Sequence, residues 1–331
     1  MALFERRTRD PRDSIAAFWS WWARARDQVG AGLDRDDLGK LHRDLTGRVR
    51  AIHPELAWEL TSGRQAKHAL VVSPEGSPAL RPVTERWLRA GPGPDADWEY
   101  YASRQPDPAA YTGSVQLGGR PFHPGSARFG FEIDLDRARV HVAVWHPDFP
   151  RLDEAIRLQA SFLLLDWALG EDDVERWLGE VKVTSEDQPY GVDALRAAVV
   201  ELSTHYQHGE WVTVDGFDDR DRPVAVRVRV PFARLDYPLY DLHGRVRMPF
   251  EPGSAEEAAL DGIQNGLLGR LGDSAVLVAV VTVSGVRTLH LYADSNGVVP
   301  DQVATWATQQ SIAITQEWRP DPGWEAVRGL Y

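Results

Sequence analysis

The chain predicts an α+β fold with two α/β-sandwich domains, the C-terminal one ferredoxin-like with an antiparallel sheet and an extra N-terminal hairpin. Three observations carry that prediction. With its leading strands set aside, the second half reads strand, helix, strand, strand, helix, strand, the order of the ferredoxin-like plait. The first half opens its sheet as strand, strand, helix, strand, which is half of a split-βαβ sandwich. From Ala275 onward a strand pair, a short helix and a last strand run into Asp321-Pro322-Gly323-Trp324 and Tyr331, the end of a sandwich closed by a Trp-rich tail.

Ser14–Val29 reads as a helix, with Asp13 or Ser14 as N-cap and Gly30 and Gly32 ending it. Ile15, Phe18, Trp19 and Trp22 share one face at helical spacing. A second helix runs from about Asp36 to Ile52 and stops at His53-Pro54, because the residue before proline is pushed out of the helical region. Strands follow at Leu56–Thr61 and His68–Ser73, then a helix over Pro78–Arg89 and a strand at Trp98–Arg104. Gln105–Pro124, rich in Pro and Gly, reads as a surface wrap. Arg128–Asp134 and Arg139–Trp145 alternate around a turn and read as a hairpin. An apolar helix at Arg151–Leu169, an acidic helix at Glu171–Leu178 and a strand at Val181–Ser185 close this half.

Val192–Tyr206 reads as a bridging helix. Strands Trp211–Gly216, Val224–Phe232 and Gly244–Phe250 come next, then a helix at Ala255–Leu271. Strands Ala275–Val283 and Arg287–Ala293, a helix at Asp301–Gln309 and a strand at Ile312–Trp318 finish the chain. The implied division is an N-terminal α+β domain over 1–186, the bridge over 187–209 and the ferredoxin-like domain over 210–331.

Composition narrows function. With 331 residues, 43% hydrophobic and 26% charged, the chain has ordinary globular composition and length for two domains. A net charge of −12 disfavours nonspecific contact with phosphate backbones, so nucleic acid is not the expected partner. Cysteine is absent, which excludes disulfides, thiolate nucleophiles and Cys-ligated zinc. Met1–Arg7 is followed by no long apolar stretch, so neither a secretory signal nor a membrane span is read, and a cytoplasmic location is expected.

Several clusters invite a chemical reading. Glu201, His205 and His208 fall on one helical face and could present a carboxylate and two imidazoles to a metal. Histidine at a helix C-terminus is also favoured by the helix dipole and the orphan carbonyls, which is the plainer account. Asp215, Asp218, Asp219 and Asp221 crowd a turn but lack the order of a calcium loop, so a solvated hairpin tip is expected. Asp166 lies in the apolar run Phe162–Leu169, where a carboxyl could have a raised pKa and act as an acid; pairing with Arg176 is the favoured fate. Trp19 and Trp22 read as core, whereas Trp21, facing away with Arg24, reads as an exposed partner site. The chain carries no nucleophile elbow, Walker loop, dinucleotide fingerprint or His-Glu-x-x-His motif.

Residues from about Trp211 to Tyr331 resemble the bacterial family catalogued as domain of unknown function 695. The matching pieces are Arg245-Val246-Arg247-Met248-Pro249, the helix beginning Glu256-Glu257, Val281-Thr282 with Gly285-Val286-Arg287, Tyr292, and Asp321-Pro322-Gly323-Trp324. The run Leu164–Glu171 with Asp173-Val174 looks like a segment upstream of that domain in longer members. The C-terminal end is similar, more loosely, to the ribonuclease E inhibitor family of ferredoxin-like regulators, departing from it at Gly323 and His290. The resemblance implies a fold and a regulatory role and supplies no catalytic motif.

The reading that follows is a cytosolic binding or regulatory protein acting through protein–protein contacts, with no cofactor. Trp21, Arg24, Arg287, Tyr292 and Trp324 are its candidate binding residues. The alternatives are a metal-dependent hydrolase built on Glu201, His205 and His208, and a ribonuclease- or RNA-associated regulator argued from fold analogy alone.

Overall fold

The structure, a computed structural model, describes residues 11–35, 37–117, 119–206 and 209–330. The Met1–Arg7 segment, Asp36 as a helix start, His208 and Tyr331 lie outside the described residues.

The aromatic stripe of the first helix organises the N-terminal core. Helix α1 spans Pro11–Leu33 and buries Ile15, Phe18, Trp19, Trp21 and Trp22. It runs through Gly30 and Gly32, which the sequence reads as stops. A Cβ at Gly32 would lie 2.8 Å from the Asp37 carbonyl, so this glycine serves close approach of the returning chain. Helix α2 (Lys40–Ile52) returns along α1 and adds Leu45, Val49 and Ile52.

Strands β1 (Ala57–Ser62) and β2 (His68–Ser73) pair antiparallel; helix α3 (Arg81–Arg89) then crosses to β3 (Trp98–Tyr101), parallel to β2. The order β1-β2-β3 leaves no strand between β2 and β3, so the unit is a directly paired βαβ and not the split form the element order suggested. Indoles tie α1 to α3 and to the sheet: Trp19 stacks on Trp87 at 4.8 Å and donates to its carbonyl at 2.7 Å, while Trp22 donates to the Tyr100 hydroxyl at 3.0 Å. Both N–H groups are satisfied, which lets large rings be buried at little polar cost.

The Pro/Gly-rich stretch holds a short hairpin, β4 (Val115–Leu117) with β5 (Arg120–Phe122). The alternating hairpin predicted at Arg128–Asp134 and Arg139–Trp145 forms as β6 and β7 with those bounds. Helices α4 (Glu154–Leu169) and α5 (Glu171–Trp177) lead to β8 (Leu178–Val183), parallel to β7, and α6 (Val192–His205) follows.

The remaining elements are β9 (Glu210–Phe217), β10 (Pro223–Val230), β11 (Leu242–Pro249), α7 (Ala255–Leu271), β12 (Ala275–Val283), β13 (Val286–Ala293), α8 (Val299–Ala307) and β14 (Thr315–Pro320). Their sheet has the order β14-β11-β13-β12-β10-β9, antiparallel throughout. Counted from β11, the last four strands stand in the order 4-1-3-2 of the ferredoxin-like plait, and the β9–β10 hairpin extends the sheet beside β12. Two local devices fix this half. Ser254 caps α7 by accepting from Glu257 N–H at 3.2 Å, while the Glu257 carboxylate accepts from Gly253 N–H at 2.7 Å. Ser284 and Gly285 both take positive φ, 50° and 71°, in the two-residue turn from β12 to β13. Val246, Leu289, Val280, Leu267 and Trp306 form the core between this sheet and its helices.

The chain groups into two compact units, Met1–Ala109 with Leu165–Glu175, and Ala110–Leu164 with Arg176–Tyr331. The sequence reading divides at 186 and 209 instead. The short α5 segment supplies the first unit with Glu171 and Asp172 through hydrogen bonds that element order does not announce.

Candidate functional site

Strand register sorts the side chains of the large sheet onto its two faces, because directly paired residues point the same way. Val246, Leu289 and Val280 form one row and pack beneath α7 and α8. One residue along, Thr315, Arg247, Thr288, Val281, Val226 and Val214 form a row across all six strands on the opposite face. Every member of that row is partly or fully exposed. The neighbouring row contains Val286, Val283, Val224 and Gly216, also within reach of solvent. The face is thus polar on β11 and β14 and valine-rich on β12, β10 and β9.

Strand β9 is exposed along its whole length. Val212 is 43% exposed, Val214 57% and Phe217 72%. Alternation puts Val212 and Val214 on one face, with Trp211 and Phe217 on the other; Arg227 covers Trp211 at 5.2 Å from the ring centre. Being terminal in the sheet order, β9 presents an outer edge that no strand among the described residues pairs. An unpaired edge flanked by apolar side chains is a template for a further strand.

The far end of this open face is closed by the tail. Trp324, held at φ 56°, stacks on Tyr292 at 4.1 Å, and its N–H donates to the Tyr240 carbonyl at 2.7 Å. The Tyr292 hydroxyl donates to Asp321 at 2.5 Å. Beside Tyr292, His243 and His290 stack with facing nitrogens 3.1 Å apart. Burial pushes both imidazoles down, and the proximity of His243 adds to the effect at His290, which falls to about 4. With both imidazoles lowered, the pair is predominantly neutral at pH 7.

The first unit holds a different polar centre. Arg104 donates to Glu59 at 2.6 Å, Glu75 at 2.7 Å and Asp166 at 2.8 Å, while its backbone N–H donates to Glu171 at 3.0 Å. Glu171 also accepts from Ser73 Oγ at 2.8 Å and Gly76 N–H at 2.6 Å. Desolvation raises the Asp166 pKa to about 7; Arg104 opposes the rise and Glu171 adds to it. Desolvation works against the Arg104 cation, yet Glu59 and Glu75 raise its pKa above the usual value. Every one of these contacts is an internal hydrogen bond, so the cluster accounts for itself as a structural ion network.

The residues singled out from sequence scatter across these settings. Trp21 is 9% exposed, so it belongs to the core; the Arg48 guanidinium lies over its ring at 4.9 Å and shuts it from solvent. Arg24 is exposed on α1. Arg287 binds Asp261 of α7 at 2.5 Å on the helix-covered face, away from Tyr292 and Trp324, which touch each other in the core. Asp166 pairs with Arg104 and not with Arg176, whose guanidinium meets Asp236 at 2.7 Å. Glu201 and His205 are exposed, His205 against the Tyr206 ring at 4.8 Å. Among the described residues no group of three His, Asp or Glu is placed to hold a metal. Asp218 occupies the β9–β10 turn, where Arg222 and backbone N–H groups hold its carboxyl down at about 2.

Sequence reasoning missed the Arg104 network and the His243–His290 pair. Their members are distant in sequence, and only strand register or the return of α5 brings them together. The exposure of β9 follows from its terminal place in the sheet order, which its sequence does not announce. No helix among the described residues is long and apolar enough to cross a membrane. No protein-family model, curated protein or solved structure matches the chain.

Proposed function

We propose that this is a cytosolic binding and regulatory protein that acts through protein–protein contacts, and that β9 is where its partner docks. The observation that carries the reading is a full-length exposed edge strand with Val212 and Val214 on one face and Phe217 on the other. The occupant is an extended segment of another polypeptide, added as a strand to the β9 edge, with β-branched or apolar residues at alternate positions. Glu210 and Asp215 in β9 and the net charge of −12 favour basic residues flanking that segment. The same charge opposes the pairing of two copies of this chain. The regulatory part of the reading rests on the looser resemblance of the C-terminal end of the chain to the ribonuclease E inhibitor family.

Selection of displayed peptides on the full chain tests it. The enriched peptides are expected to alternate β-branched and polar residues, carry basic flanks, and lose binding to the Val214→Glu variant. Peptides that bind Val214→Glu as tightly as the parent, or a chain that only self-associates through β9, would overturn the assignment.

A further inference from the structure

A second binding site lies in the same unit, away from the open sheet face. The end of α6, the start of β7, the end of α5 and the segment after β10 enclose a cavity of about 400 Å³. That volume falls within the range of small-molecule sites, roughly 300–1,000 Å³. Its walls combine three guanidinium groups with an aromatic surface. Among the described residues Arg139, Arg176 and Arg229 line it, together with Asp236. Among the described lining residues of a chain of net charge −12, three arginines stand with one aspartate.

Two of the cations are held in place by the protein. Arg229 Nε donates to the Gly209 carbonyl at 3.1 Å, which orients its guanidinium plane. Arg176 Nη2 meets Asp236 at 2.7 Å. The last turn of α6 also reaches the wall through Ser203 and Tyr206, and a helix C-terminus contributes about −0.5 charge. The described lining residues set three guanidinium groups against that and the Asp236 carboxylate, which Arg176 meets. The apolar part of the wall comes from Trp177, Phe232 and Tyr237, the last two stacked at 5.7 Å. Planar rings offer faces to a planar ligand, and guanidinium groups bind phosphate in a fixed fork geometry.

We propose that this cavity binds a small organic phosphate with a planar ring, of the mononucleotide class. The arginines hold the phosphate and the aromatic wall holds the ring. The cavity adjoins the Gly209–Trp211 end of β9 and does not include Val214 or Phe217, so Val214→Glu tests peptide docking without altering the cavity lining.

Calorimetric titration of the full chain with adenosine monophosphate, adenosine and inorganic phosphate tests the proposal. Adenosine monophosphate is expected to bind at least about tenfold more tightly than either fragment, since both halves of the site contribute. Arg229→Gln, and independently Arg139→Gln from another strand, should each weaken it about tenfold or more while circular dichroism stays unchanged. Arg220→Gln, on the hairpin turn, should leave it as in the parent. Absence of binding at millimolar adenosine monophosphate, equal binding of adenosine, or unchanged affinity in both cavity variants would overturn the assignment.

Discussion

Arg104 and Asp166 meet at 2.8 Å with both side chains about nine-tenths withdrawn from solvent, and Glu59 and Glu75 crowd the same guanidinium. One cation thus serves three carboxylates. Burial raises the Asp166 pKa to about 7, so the folded state holds a proton that the unfolded chain releases near its ordinary value of 3.8. The stabilising contribution of that proton is complete below about pH 4 and is lost as pH rises through about 7. Denaturant titrations of the parent and Asp166→Asn across this window should show the parent losing stability with rising pH and the variant staying flatter.

Removing the cation has a larger consequence. Arg104→Met leaves Glu59, Glu75 and Asp166 without their common partner, and breaking a buried pair in this way costs roughly 3–5 kcal/mol. Chemical denaturation at pH 7 is the measurement. A loss below about 1 kcal/mol would show that solvent screens the network as it does a surface pair.

The second unit has the opposite pH dependence. Burial depresses His290 to about 4 and lowers His243 as well, so the unfolded chain binds protons that the folded sheet refuses. This contribution is complete above about pH 6.5 and is lost as pH falls through about 4. Hydrogen exchange should show β11 and β13 losing protection on acidification over that range. The effect should be reduced in His290→Gln.

One hydroxyl ties β13 to the tail. Tyr292→Phe removes the donor to Asp321, which still accepts from Ala326 N–H at 2.9 Å. The expected cost is about 1–2 kcal/mol, below that of a fully orphaned carboxylate. Thermal melts of the full chain would measure it.

Val214 makes the converse prediction. It is more than half exposed on an edge strand, so Val214→Glu should change stability by less than about 0.5 kcal/mol. The same variant should lose the peptides selected on the parent. Stability and partner binding are then separable at one position.

Much of the architecture was legible because its signals are local. Alternation gave β6 and β7 with their observed bounds, and helical spacing gave the buried face of α1. The plait was readable because βαββαβ order leaves few ways to pair four strands. The candidate sites were far less legible. Trp21 lies off the main stripe of α1 and is buried against Phe18 and Trp22 with Arg48 of α2 over its ring, a contact between helices that helical spacing cannot show. Asp166 finds Arg104 and not Arg176 because the chain returns to the first unit only as far as Glu175.

Apolar spacing, turn chemistry and composition therefore determined which segments became helices and strands, and that the chain has no cysteine chemistry. Tertiary structure alone decided which strand was left at the edge, which imidazoles met, and where three arginines converged. The reason is range: periodicity reports the few residues beside each position, whereas register and chain return join side chains that have no covalent reason to be neighbours.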